Sequence, residues 1–240
     1  MLQRLRSLLK KKERPYTAAV VAAGGSARRM GGGDKLLAEI HGVPVIAYTL
    51  LALEKSSCVD EIVVAASEGN FLPITEVCRE FGISKVFKVV RGGQERADSV
   101  YKALCECGLQ TKFVLLTPAL AEKVCQKAYE ARCATAAVPV KDTIKVVENG
   151  LVQQTPDRAF LYAVQTPQVT DIDLLKGALC KAAQDGEKVT DDCAAVEKLG
   201  IRPAIVMGSY NNIKITTPED LDIAQVLLER MGTKQGRNNL

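Results

Sequence analysis

From Thr17 onward, short runs of β-branched and apolar residues alternate with longer stretches whose apolar positions recur at helical spacing. That alternation predicts an α/β fold, a mostly parallel sheet covered by helices. Strands are expected at 17–23, 61–66, 86–90, 113–116, 134–140, 204–207 and 213–216. Helices are expected at 45–55, 74–81, 95–107, 171–185, 191–199 and 218–231. A further helix is expected to start at Thr117-Pro118, a capping residue followed by a first-turn proline, and to run to 131. Thr217 stands before Pro218 in the same way and predicts the cap of the closing helix. His41-Gly42 reads as a turn.

Residues 141–154 break this rhythm. The runs Thr143-Ile-Lys-Val-Val and Leu151-Val-Gln-Gln-Thr flank Glu148-Asn149-Gly150, and Asn-Gly between β-forming runs is a strong hairpin signal. A hairpin inserted into a parallel α/β sheet has nowhere to bury both faces within its own domain. The expectation is a projecting arm at 141–158 that packs on a second subunit. The arm belongs to a single domain at 17–231, between a basic extension at 1–16 and a loose tail at 232–240.

Composition narrows the classes of function. With 240 residues, 47% hydrophobic and 25% charged, the chain can build a core without disulfide or metal staples. Its eight cysteines include no C-x-x-C pair and His41 is the only histidine, so no zinc ligand set forms at the usual spacing. Free thiols in a reducing, cytoplasmic compartment are expected. The net charge of +4 is local: residues 1–17 hold six Lys and Arg against Glu13, which leaves the rest of the chain at −1. A nearly neutral body with no tryptophan and 5% aromatics does not suit a nucleic-acid surface. No run approaches the roughly 18 apolar residues of a spanning helix. Neither nucleic acid nor a membrane is an expected partner.

The richest chemistry lies directly after the first strand, in Ala22-Ala-Gly-Gly-Ser-Ala-Arg-Arg-Met-Gly-Gly-Gly-Asp-Lys35. Amides freed by glycine can crowd around phosphate oxygens, and Arg28, Arg29 and Lys35 add positive charge at the same place. The stretch is not a Walker A loop, because Leu36 follows Lys35, and it is not G-x-G-x-x-G. Three further segments fall at expected strand ends, where open α/β sheets bind ligands. They are Gly92-Gly-Gln-Glu-Arg-Ala-Asp-Ser99, Val140-Lys-Asp-Thr-Ile-Lys145 and Asn211-Asn-Ile-Lys-Ile-Thr-Thr-Pro-Glu-Asp220. In the last, Lys214 is expected inside an apolar strand, where its ammonium calls for a buried anion.

These motifs resemble the 2-C-methyl-D-erythritol 4-phosphate cytidylyltransferases of the non-mevalonate isoprenoid pathway. The resemblance covers 17–230. It is carried by the glycine loop with its Arg-Arg-Met and following lysine, and by Gly-Gly-x-Glu-Arg-Ala-Asp-Ser-Val at 92–100. Pro139-Val-Lys-Asp-Thr-Ile-Lys145, Asp157-Arg158, Gln165-Thr-Pro-Gln168, Thr190-Asp-Asp192 and Asn212-Ile-Lys-Ile-Thr216 complete it. It implies a Rossmann-like nucleotidyltransferase sheet in a homodimer that joins CTP to the polyol phosphate with Mg2+ and releases pyrophosphate. By position, it implies that Arg29 and Lys35 stabilise the transition state and that Arg158 and Lys214 position the methylerythritol phosphate. Ala23, Gly24, Gly25 and Ser26 would line the nucleotide loop, Gly93, Gln94 and Ser99 would read the cytosine, and Arg96 would support that loop. Thr143 and Arg158 would reach the sugar phosphate of the neighbouring subunit.

One departure stands out. In the family the strand matching 113–116 leads into a His-Asp-x-Ala-Arg-Pro type stretch whose aspartate holds magnesium, whereas here Leu116 runs into Thr117-Pro118. Either the chain is a shortened, impaired member or a strand-end loop is missing from this sequence; the family's pattern resumes at Thr117-Pro-Ala-Leu, which favours the second, and intact mass tests it. Two alternatives stay open: a cytidylyltransferase for another polyol phosphate such as ribitol 5-phosphate, and a nucleotide-binding relative without catalysis.

Overall fold

The computed structural model describes residues 14–24, 36–116 and 120–237. In chain order the elements are β1 (Thr17–Ala23), β2 (Glu39–Ile40), β3 (Val43–Pro44), α1 (Val45–Lys55), β4 (Glu61–Ala66), α2 (Phe71–Glu80), β5 (Val86–Arg91) and α3 (Arg96–Cys105). They continue as β6 (Phe113–Leu116), α4 (Ala121–Ala131), β7 (Cys133–Pro139), β8 (Val146–Glu148), β9 (Leu151–Gln154), β10 (Tyr162–Asp171), α5 (Ile172–Gln184), α6 (Asp192–Glu197), β11 (Ala204–Met207) and α7 (Pro218–Arg237). Seven strands form one sheet in the order β11-β7-β10-β6-β1-β4-β5. All neighbours pair in parallel except at β10, which runs antiparallel to both β6 and β7.

Both faces of the sheet are covered, which is why β1 and β4 read as continuous apolar runs instead of alternating ones. One core joins Val21, Val64 and Leu115 to α1, α2 and α4 through Leu50, Ile74 and Val124. The other joins Val20, Val63 and Val114 to α3, α5 and α6 through Leu104, Leu175 and Val196. Arg14, assigned by sequence to the extension, is fastened to the body: its Nη2 donates to Asp60 at 2.7 Å, and Asp60 also accepts the Thr17 N–H at 2.8 Å. The eight cysteines are free thiols.

Several expectations need correction. No element was expected at residues 162–170, where Gln165-Thr-Pro-Gln168 is polar and interrupted by proline. They form β10, whose pairing with β7 breaks off at Val164 and resumes at Gln168. Residues 213–216 form no strand, and Lys214 is exposed instead of lying within an apolar strand. The chain turns away from the edge strand β11 after Met207 and is fastened to Gln165, as described below. Helix α4 spans Ala121–Ala131 after Leu120 in the left-handed region at φ 61°, and the expected cap and first turn at Thr117-Pro118 lie outside the described residues. Helix α7 continues to Arg237, through residues expected as tail. His41 and Gly42, at φ 53° and 75°, turn the small hairpin β2–β3 as expected.

The hairpin expected at Glu148-Asn149-Gly150 forms. Asn149 and Gly150 take φ of 51° and 78°, the left-handed pair that a tight two-residue turn requires, and β8 pairs with β9. Lys145 Nζ donates to Thr155 Oγ1 at 2.8 Å across its base.

Candidate active site

Because all sheet strands but β10 are parallel, Ala23, Ala66, Arg91, Pro139 and Met207 end at one edge of the sheet. The first half of β10 runs past the end of β6 at that same edge. The segments leaving these ends build two clusters.

The first cluster is a glycine cradle at the start of α3. A Cβ on Gly24 would make ordinary contact with Ser99 Oγ at 3.5 Å, whereas one on Gly92 would crowd it at 2.9 Å. Gly93 is tighter still, since a Cβ there would meet Asp98 Cβ at 2.2 Å. The buried Ser99 hydroxyl accepts the Gly93 N–H at 2.9 Å and donates to Glu95 O at 3.1 Å, which pins the loop to the helix. Glu95 caps α3 and Asp98 returns the bond to the Glu95 N–H at 3.2 Å.

Arg96 opens the helix and grips Asp192 with both guanidinium nitrogens, Nη1 to Oδ1 at 3.1 Å and Nη2 to Oδ2. Asp192 is fully buried, and Arg96 is 38% exposed. Burial opposes the charge on Arg96, but the hydrogen bonds and charge of Asp192 outweigh it and raise its pKa above the ordinary arginine value. Asp191 and Asp192 both stand at the start of the expected helix 191–199, where aspartates commonly serve as helix starters. Asp191 is one, accepting the Ala194 N–H at 2.7 Å, whereas Asp192 is the counter-ion of a residue 96 positions away.

The second cluster gathers the ends of β7 and β11 with the turn at 158–160. Arg158 Nη1 donates to Lys141 O at 2.7 Å, and Lys141 Nζ lies 3.7 Å from the Tyr210 ring centroid. Tyr210 in turn donates its hydroxyl to Pro139 O at 2.8 Å. Thr143 follows on the exposed neck of the arm. Gln165 Nε2 donates to Ser209 O at 2.8 Å and to Asn212 O at 3.2 Å, which fixes the turn two residues before Lys214. Asp220 closes that segment by accepting the N–H groups of Thr216 and Thr217 at 2.7 and 2.8 Å and the Thr216 hydroxyl at 2.8 Å.

Those bonds hold the Asp220 pKa down to about 2. A carboxylate depressed in the folded state stabilises above its unfolded pKa, roughly 3.9, and loses that contribution as pH falls through its folded value. Asp220→Asn is therefore expected to lower Tm at pH 7 by a few degrees, with the gap to the parent closing as pH approaches 2. Thermal unfolding followed by circular dichroism across that range checks it, and a gap independent of pH would refute the assignment.

The sequence profile of the 2-C-methyl-D-erythritol 4-phosphate cytidylyltransferases matches residues 17–230 of this chain. The chain belongs to that family. A cytidylyltransferase of this name from Pelotomaculum thermopropionicum is 43% identical over 214 residues, covering 85% of this chain and 88% of the relative. One from Nostoc punctiforme is 38% identical over 208 residues, covering 83% and 92%. Among solved structures, the 4-diphosphocytidyl-2C-methyl-D-erythritol synthase of Anaerococcus prevotii superposes with a TM-score of 0.78 at 26% identity, over 89% of this chain and 96% of its own. The Thermus thermophilus cytidylyltransferase superposes at 0.71 and 26% identity, over 88% and 98%.

Of the family's expected site positions, Ala23, Gly24, Gly93, Gln94, Arg96 and Ser99 belong to the cradle region. Thr143, Arg158 and Lys214 belong to segments of the second cluster. Gly25, Ser26, Arg29 and Lys35 lie outside the described residues. Among the described residues no group of three or more His, Cys, Asp or Glu side chains forms a metal cage. Asp192 is spent on Arg96, and Asp191 on the Ala194 N–H and Gln168, so the described residues do not build the magnesium site expected for the family. Sequence reasoning missed the structural work of Gln165, Gln168 and Asp192, although all three stand in motifs that carried the resemblance. A polar Gln-Thr-Pro-Gln run between apolar strands was the available signal.

Proposed function

We propose that this protein is a nucleotidyltransferase that joins CTP to 2-C-methyl-D-erythritol 4-phosphate, yielding the CDP-linked methylerythritol and pyrophosphate for isoprenoid biosynthesis. The supporting observation is that one sheet edge carries both a glycine cradle at 24 and 92–99 and the segments of Lys141, Arg158 and Lys214, in a chain matched by the family profile from 17 to 230.

The chemistry suits a chain with one histidine. A phosphate monoester has its second pKa near about 6 and is largely a dianion at neutral pH, so its oxygen attacks the α-phosphorus without a general base. The new P–O bond forms as the bond to the β-phosphate bridging oxygen breaks, and pyrophosphate leaves with that oxygen. What remains for the protein is to align two polyanions and to neutralise charge on the five-coordinate phosphorus. Arg29 and Lys35 do this on the triphosphate, and Arg158 and Lys214 hold the sugar phosphate. Gly93, Gln94 and Ser99 receive the cytosine.

The arm completes the reading. Val147 and Val152, paired across it, are 56% and 58% exposed, and Phe160 at its foot is 82% exposed. An apolar face of this kind suits a second copy of the chain, with Thr143 and Arg158 delivered to the partner's site. Among the described residues no helix is long and apolar enough to cross a membrane, and the eight free thiols suit a reducing cytoplasm.

Incubation with CTP and methylerythritol phosphate in magnesium buffer should release pyrophosphate and give a CDP-linked product by mass spectrometry. Ribitol 5-phosphate, run alongside, should be a poor acceptor. CTP binding by calorimetry with no pyrophosphate released would favour the non-catalytic alternative, which the absence of an acid after Leu116 would permit. A narrower result concerns Gly93: because its Cβ would overlap Asp98, Gly93→Ala should shift the loop and weaken CTP binding by about tenfold or more, measured by calorimetry.

A further inference from the structure

β10 is the antiparallel strand of the sheet, and where its ladder to β7 is interrupted, between Val164 and Gln168, a glutamine stands at each side. The two side chains serve different clusters. Gln168, almost fully buried, accepts the N–H groups of Asp192 and Cys193 at 3.1 Å each through Oε1 and donates through Nε2 to Asp191 at 2.9 Å. It thereby fixes the first turn of α6, and with it the buried Asp192 carboxylate that holds Arg96 at the start of α3, next to Gly92-Gly-Gln-Glu95. Gln165, three residues earlier, uses Nε2 on Ser209 O and Asn212 O, and its Oε1 accepts the Ser209 N–H at 3.2 Å. Gly208 makes room for it, since a Cβ there would stand 2.2 Å from Gln165 Oε1. Asn212 adds a bond to Thr166 O at 2.6 Å.

We infer that Gln165 and Gln168 are positioning residues assigned to separate substrates: Gln168 sets the cytosine-reading segment 92–99 through Asp192 and Arg96, and Gln165 sets the sugar-phosphate cation Lys214 through the 208–212 turn. The inference rests on the cytidylyltransferase reading and adds to it a division of labour within one strand. Neither glutamine touches substrate. Gln168 uses its amide to hold the first turn of α6, and Gln165 uses its own to hold main-chain groups of the 208–212 turn; loss of such bonds costs enough to move the segments that they support.

The test is a split in Michaelis constants. Methionine matches glutamine in length and keeps packing while removing both bonding groups. Gln168→Met should raise the KM for CTP about tenfold and leave that for methylerythritol phosphate within about twofold, and Gln165→Met should do the reverse. A merely structural role would lower Tm and move both constants together. Exchange of donor and acceptor gives a rescue: Gln168→Glu sets a carboxylate against Asp191 and should behave like Gln168→Met, whereas Gln168→Glu with Asp191→Asn restores the bond and should restore the KM for CTP. Should Gln168→Met not fold, Arg96→Lys, which loses the two-pronged grip on Asp192, must show the same CTP-specific rise. If the parent is active and both constants move together in either glutamine variant, or neither moves, this inference is wrong and the function stands. A parent that releases no pyrophosphate overturns both.

Discussion

Lys35→Ala is expected to lower the rate of pyrophosphate release by on the order of 10² or more, with a smaller effect on the KM for CTP. The reason is electrostatic. The attacking phosphate and the triphosphate repel each other, and no proton transfer is needed, so charge neutralisation carries most of what the protein contributes. A lysine that meets charge developing on the phosphoryl oxygens is worth more at the transition state than in the ground state, which places the loss in kcat. Arg29→Ala should behave alike, and a double variant should fall short of the product of the two, because the proposed function sets both cations on the same oxygens. Lys35→Arg separates charge from placement: a guanidinium keeps the charge but presents a wider, planar group, so partial recovery is expected. A purified Lys35→Ala protein releasing pyrophosphate at a near-parental rate would remove the lysine from the mechanism.

The parts of the fold legible in sequence were those whose physics is local. Thr17–Ala23 and Val45–Lys55 appear with the expected bounds, because a twice-covered strand and an amphipathic helix each announce themselves within a dozen residues. Asn149-Gly150 announced its turn through backbone conformation alone. β10 was not legible, because its polar centre finds partners on other elements: Gln168 on α6 and Gln165 on the 208–212 turn. Residues 213–216 misled in the opposite direction, as Ile-Lys-Ile-Thr has β-forming composition yet lies beyond the ladder of the edge strand. The site follows the same division. Gly93 stands in a motif visible in the sequence, and the structure adds a local reason for a glycine there, since a Cβ would meet Asp98 Cβ at 2.2 Å. Asp192 was not legible, since the guanidinium that defines its role comes from α3, 96 residues earlier.

The second large effect is expected at the arm. Val147 and Val152 face each other across β8 and β9, so Val147→Lys with Val152→Glu replaces an apolar pair by opposite charges that still support the hairpin. The arm should keep its form while its face becomes unfit to meet another apolar surface. A buried valine contributes roughly 1.5–3 kcal/mol, and a two-fold interface loses every contact twice, so the dimer dissociation constant should rise on the order of 10³-fold or more. At micromolar concentration the parent should elute as a dimer and the double variant as a monomer, with far-ultraviolet dichroism unchanged. Activity should fall with assembly, because Thr143 and Arg158 would no longer reach a partner's sugar phosphate. Raising protein concentration should recover activity in parallel with dimer, a dependence that damage confined to one subunit would not produce. A fully active monomer would show that each chain holds a complete site, and a dimer indifferent to the two charges would show that the arm's apolar face meets something other than a second copy.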